Sequence, residues 1–197
     1  VASYATPEPS RPITTVGYEG QDVNSVSLAS DWTLADRTIT VEQVARWMEE
    51  PLSYSDELFE ALQYGENDGV KALAAVLLTD ASDDDNRINQ ALKHAAAKGS
   101  DLLKVTALDA LIQRGAVTNA GIDELLAFLA NGDADIKNHA ASSLRNCADS
   151  EWTTRCVDGL VELLSDENVT VVAMAASTLG DFGGHAAGTC GDLQQLA

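Results

Sequence analysis

The sequence predicts an all-α protein, a stack of about four helix pairs behind an N-terminal capping segment. Three observations carry this. The stretch IDELLAFLANGDADIKNHAASSL (122–144) lies over VDGLVELLSDENVTVVAMAASTL (157–179) without a gap. Within each copy apolar residues recur at i, i+3, i+4 and i+7, the helical period. The residue three places before the first apolar position of each second helix is Asn67, Ser100, Asp133 or Asn168. All four are good N-caps, with a side-chain oxygen that accepts a free N–H of the first turn.

Residues 1–52 do not follow the period. The opening VASYATPEPSRPITT reads as a linker rich in Pro, Ser and Thr. A start at Val1 suits either a processed mature protein or a trimmed sequence, so export stays open. The segment GYEGQDVNSVSLASDWTL reads as irregular or extended. TVEQVARWMEE (40–50) then reads as a capping helix. Thr40 and Gln43 suit a capping box, and Val41, Val44, Ala45 and Met48 form its apolar stripe. Trp32 and Trp47 are expected to pack this cap over the first repeat.

The repeats follow at about 53–80, 86–113, 121–147 and 156–182, with a fifth beginning at 188–197. Their second helices align Val70, Leu103, Ile136 and Val171, then Ala74, Ala107, Ala140 and Ala175, then Leu111, Leu144 and Leu179. The small residues let neighbouring helices approach closely. A lone helix pair cannot bury its apolar face, whereas stacked copies bury theirs against one another.

These units resemble the HEAT-repeat family, in the HEAT-like form also found in bilin lyases. The family pattern is a polar cap, a β-branched residue followed by a basic one, an Ala pair and a Leu. Here it reads DADIKNHAASSL, with Lys71, Lys104 and Lys137 at the basic position and Val172 in the fourth copy. The family also places an Asp six residues before the basic position. Asp166 fits, while Gly65, Lys98 and Asn131 depart from it. The resemblance covers about residues 53–197. It implies a right-handed α-α superhelix, a HEAT-like solenoid, whose second helices line the concave side. Such folds carry many functions. Two are implied: a protein–protein scaffold or adaptor, and a bilin-lyase-like enzyme or chaperone acting on a bound ligand.

Charge narrows the partners. With 31 acidic against 12 basic residues the net charge is −19. A general nucleic-acid binder needs Lys and Arg to displace phosphate counterions, and adhesion to anionic lipid needs them too. A HEAT-like DNA glycosylase therefore fits badly. The chain lacks an apolar run of membrane-spanning length, so these residues predict no membrane insertion. The expected partner is another protein.

Candidate partner-binding residues on the concave side are Lys71, Lys104, Lys137, Asn138, Ser142 and Arg145, with Asp109 and Ser177 in neighbouring units. The lysines either form a basic stripe suited to an acidic segment, or pair with the loop acids Asp68, Asp101 and Asp135 for roughly 0–1 kcal/mol each. Cys147 and Cys156 flank the turn ADSEWTTR. They either form a disulfide, which favours an oxidising compartment, or remain buried thiols in a cytosolic protein. The leaning is towards a periplasmic or extracytoplasmic location, with a cytoplasmic one as the alternative.

Metal and catalytic chemistry find little support. His94, His139 and His185 are far apart, and His139 aligns with Met174, which points to packing. His185 and Cys190 lack a metal-site spacing. DASDDDN (80–86) lacks the Gly and Glu of an EF-hand and suits helix capping by Asp85 or Asn86. The sequence thus predicts no cofactor, no metal and no enzyme. NVT (168–170) matches a glycosylation sequon, but Asn168 is wanted as an N-cap.

Overall fold

The computed structural model describes residues 33–34, 37–82 and 86–189. The linker, Trp32, Asp83 to Asp85, Cys190 and nearly all of the fifth unit lie outside the described residues. The described chain is all-α apart from a two-residue antiparallel ladder, β1 (Thr33–Leu34) with β2 (Arg37–Thr38), and a single bridging residue at Gly65.

The first helix, α1 (Val41–Glu49), starts at Thr40, whose hydroxyl accepts from the Gln43 N–H. The reciprocal half of the expected capping box is replaced. The Gln43 amide donates instead to Glu57 at 2.8 Å, and the Trp47 indole donates to the same carboxylate oxygen at 3.2 Å. Residues 43 and 47 are one turn apart, so Glu57 turns that face inward. Trp47 is wholly buried, whereas Val41 and Met48 of the predicted stripe are 55% and 63% exposed.

Four helix pairs follow a 3-10 turn at Pro51–Tyr54. They are α2 (Ser55–Tyr64) with α3 (Asp68–Leu77), α4 (Arg87–Lys98) with α5 (Asp101–Gln113), α6 (Asn119–Asn131) with α7 (Ala134–Leu144), and α8 (Thr153–Glu162) with α9 (Val169–Asp181). The aligned caps form: Asn67, Ser100, Asp133 and Asn168 each accept a backbone N–H of the turn they start. Asn86 precedes α4 in the left-handed region, φ 57°, without capping through its side chain. Asn tolerates that conformation better than most residues.

Second helices pack in sequence, α3 on α5, α5 on α7 and α7 on α9, while α2 meets α4 and α6 meets α8. The small residues sit at these crossings: Ala74, Ala75, Ala107, Ala140, Ala141 and Ala175 are all fully buried. Flanking Leu103, Leu111, Leu144 and Leu179 fill the seams, each buried side chain contributing about 1.5–3 kcal/mol. One apolar cluster runs from Ile39 to Ala186.

Two further devices tie units together. α5 ends at Gly115, φ 65°, where the Ala116 N–H returns to the Leu111 carbonyl in a Schellman turn. That ending aims Arg114 back at the first unit. Its Nη1 donates to the carbonyls of Leu78, Thr79 and Ala81 at 2.8–2.9 Å, and its Nε donates to Asn89. At the other end of the row, Gly159 lets α8 close on α6. A Cβ there would lie 2.8 Å from Leu126 Cδ2 and 3.3 Å from Leu129 Cδ1.

Candidate functional site on the second helices

Successive helical residues turn by roughly 100°, so Asp135, His139 and Ser142 share one face of α7. Asp135 and His139 are exposed and Ser142 is half-buried. Equivalent positions elsewhere in the row are Leu73 and Val76 on α3, Leu102 and Asp109 on α5, and Ser177 on α9. Val76 and Leu102 are among the exposed large apolar residues. The face therefore passes from apolar at its α3 end to polar around α7.

Asp109 is the charged centre of that polar part. It is the lone carboxylate within LLKVTALDALI, a run whose side chains are mostly buried. Gln113 Nε2 donates to it at 2.9 Å, and the Ser143 side chain, whose hydroxyl donates to the His139 carbonyl at 2.9 Å, lies beside it. His139 and Arg145 lie within electrostatic reach. Burial pushes the Asp109 carboxyl above the usual carboxylate range, against these polar and positive groups, which pull it down. Arg145 is shared, with Nε 3.5 Å from Asp181 of α9. His139, expected in the packing, is exposed because its position points off the row of second helices.

The lysines do not share this face. Lys137 lies roughly 200° around α7 from Asp135 and lines a groove between α6 and α8 with Leu126, Gly159 and Glu162. Its Nζ contacts Asp166 at 2.6 Å, with both side chains largely covered. Lys104 Nζ lies 3.4 Å from Glu124 of α6. The stem of Lys71 passes close to Gly65, and its charge acts on Asp68. Asp68 itself accepts the Ser100 N–H of the next unit at 2.8 Å. The expected basic stripe is thus replaced by cations turned towards the first helices, because the basic position lies opposite the exposed face. Lys104 and Lys137 take acids of the following unit rather than Asp101 and Asp135.

The other candidates separate as well. Asn138 is buried between α7 and α9 and donates to the Thr170 hydroxyl at 3.2 Å. Its Oδ1 and the Thr178 hydroxyl are buried without a hydrogen-bond partner. Ser142 and Arg145 stay with the Asp109 face. Cys147 and Cys156 are both fully buried free thiols. Among the described residues, His, Cys, Asp and Glu form no group of three or more suited to a metal. No described helix is long and apolar enough to cross a membrane.

Grooves also open between first helices. One of about 510 Å³ lies between α2 and α4 and is lined by Phe59, Gln63, Arg87 and His94 among others. Arg87 stacks over the Phe59 ring at 4.8 Å from its centroid and pairs with Asp56. No family model matches the chain and no curated protein matches it.

Proposed function

We propose that this chain is a HEAT-like solenoid, a right-handed α-α superhelix, which serves as a scaffold binding another protein along the exposed face of α3, α5, α7 and α9. The sequential packing of second helices supports the solenoid. So does the Lys137–Asp166 pair, which joins the basic and Asp positions of the family pattern across two units. The resemblance carries the superhelical hand.

The observation behind the binding face is Asp109, a partly buried carboxylate on it whose ionisation is disfavoured by burial. A cation brought by a partner would relieve that cost. Asp135 adds a second exposed acid, and Arg145 is divided between Asp109 and Asp181. With Lys104 and Lys137 already engaged by acids, the partner chemistry that fits is a Lys- or Arg-rich segment rather than an acidic one. Its aliphatic stems would lie along Leu73, Val76 and Leu102.

The test is titration of a labelled Lys/Arg-rich peptide at physiological ionic strength, read by fluorescence anisotropy. Wild type is compared with Asp109→Asn/Asp135→Lys and with a control, Asp158→Lys/Glu162→Lys, placed on exposed positions of α8. The face variant is expected to bind at least about tenfold more weakly, about 1.4 kcal/mol, and the control to bind nearly as wild type. Equal losses in both variants would assign the binding to the chain's overall charge and sink the proposal. So would no binding at all.

A further inference from the structure

Cys147 and Cys156 flank the short connection between α7 and α8, beneath the open face and close enough to Asp109 for its charge to act on Cys147. Cys147 ends a 3-10 turn at Arg145–Cys147, and Cys156 lies in the first turns of α8. Both side chains are fully buried, and the two thiols lie close enough to shift one another's ionisation.

The backbone between them is already closed. The Cys147 carbonyl accepts from the Ser150 N–H at 3.2 Å and from the Ser150 hydroxyl at 2.7 Å, and the Thr153 hydroxyl, which lies 2.7 Å from the Ser150 carbonyl, is 3.2 Å away. The Thr153 hydroxyl also lies near the Ala148 carbonyl, and the Cys156 N–H donates to the Trp152 carbonyl. Forming a bond between the two sulfurs therefore needs little further ordering of the chain. The other units carry no such pair. Position 147 corresponds to Phe182 in the next unit, and position 156 to Gly121 in the preceding one.

We propose that Cys147 and Cys156 form a reversible dithiol–disulfide site that reacts with small disulfides of the oxidised-glutathione class and locks the α7–α8 connection when oxidised. In the first step the Cys147 thiolate attacks one sulfur of the small disulfide. A mixed disulfide forms and one small thiolate leaves. In the second step the Cys156 thiolate attacks the Cys147 sulfur and expels the other half. The protein loses two protons and two electrons, and one small disulfide becomes two small thiols. The two sulfurs act on one another, and the same products follow whichever thiolate attacks first. Their proximity lowers the Cys147 thiol, against burial and the Asp109 charge, and raises the Cys156 thiol. Because both sulfurs are covered, the reaction proceeds through opening of the turn at residues 148–152 and is slow in the folded protein.

The test equilibrates the full chain in buffers of stepped oxidised-to-reduced glutathione ratio. Free thiols are then alkylated and the protein is cut with trypsin and Glu-C. Cleavage after Arg145, Glu151, Arg155 and Glu162 places each of the two cysteines on its own peptide, apart from Cys190. The expected result is a linked pair of peptides containing Cys147 and Cys156, with Cys190 alkylated. Oxidation should also raise Tm by about 5 °C, a gain lost on reduction and absent from Cys147→Ser/Cys156→Ser. Three alkylated cysteines at every ratio would overturn the proposal. So would a bond that consumes Cys190, or a Tm that falls on oxidation.

Discussion

Lys137 of α7 holds Asp166, at the entrance to α9, at 2.6 Å across the boundary between two repeat units. Asp166 also accepts the Asn168 N–H at 2.8 Å, so one carboxylate ties a side chain of one unit to the backbone of the next. The Lys137 contact comes first, and the Asn168 hydrogen bond second, in holding this carboxyl below the usual carboxylate range. A depressed acid contributes stability above its unfolded pKa and loses it as pH falls through the folded value. Asp166→Asn is therefore expected to melt below wild type at pH 7. The two melting curves should converge as the pH is taken below the usual carboxylate range, about 3.9. A constant gap down to the acid limit would mean that the carboxylate charge is not what matters.

Asp109 has the opposite sign. Its carboxyl is raised, first by burial, so the folded state takes up its proton at a higher pH than the unfolded chain does. Stability then falls as pH rises through the folded value. Asp109→Asn is expected to raise Tm at pH 7, with the advantage fading below the usual carboxylate range. Differential scanning calorimetry of both proteins at several pH values checks this. A lower Tm at pH 7 would show that Gln113 depends on the charge for its hydrogen bond.

Arg114 makes three bonds from one unit to the backbone of another. Removing it leaves the carbonyls of Leu78, Thr79 and Ala81 without their shared donor. Each bond to a charged group is worth about 1.5–3 kcal/mol. Bonds sharing one donor are not additive. Arg114→Ala should cost about 3 kcal/mol in a urea melt and quicken proteolysis between α3 and α4. Unchanged protection of that turn would make the contact ornamental.

Gly159 tests the spacing of the first helices. Gly159→Ala meets the ends of flexible leucines, whereas Gly159→Val must push α8 off α6. Overpacking of this kind costs about 1–3 kcal/mol. The valine variant should fall in that range in chemical denaturation, with the alanine variant close to wild type. Equal losses would point to backbone freedom rather than close approach.

Much of the architecture could be read from local chemistry. Four caps and four sets of apolar positions are each decided within a few residues, so Asn67, Ser100, Asp133 and Asn168 could be placed directly. What lay beyond reach depended on partners far along the chain. The stripe on α1 lost to Glu57, which captures Gln43 and Trp47 from fourteen and ten residues away. The lysines sit at the expected positions, yet periodicity alone did not say which side of the row they serve. Two clues to that were present. Lys137 is two residues from Asp135, and the family pattern marks Asp166. Arg114 had no periodic signal, since a helix-ending Arg-Gly is commonplace. His139 was misassigned because alignment with Met174 does not specify exposure.

α5 has the largest share of buried residues among the second helices, although Leu102 and Asp109 keep one face open. Eight of its thirteen residues are buried, against four of thirteen in α9. A row in which each member leans chiefly on its neighbours thus has a stiff midpoint and softer flanks. Amide hydrogens should exchange last in the middle and soonest towards α9. Under load the molecule would fray from its flank before it broke at its centre. A partner gripping the row near Asp109 would press against the part least able to yield, so the site can hold its shape while the far units flex.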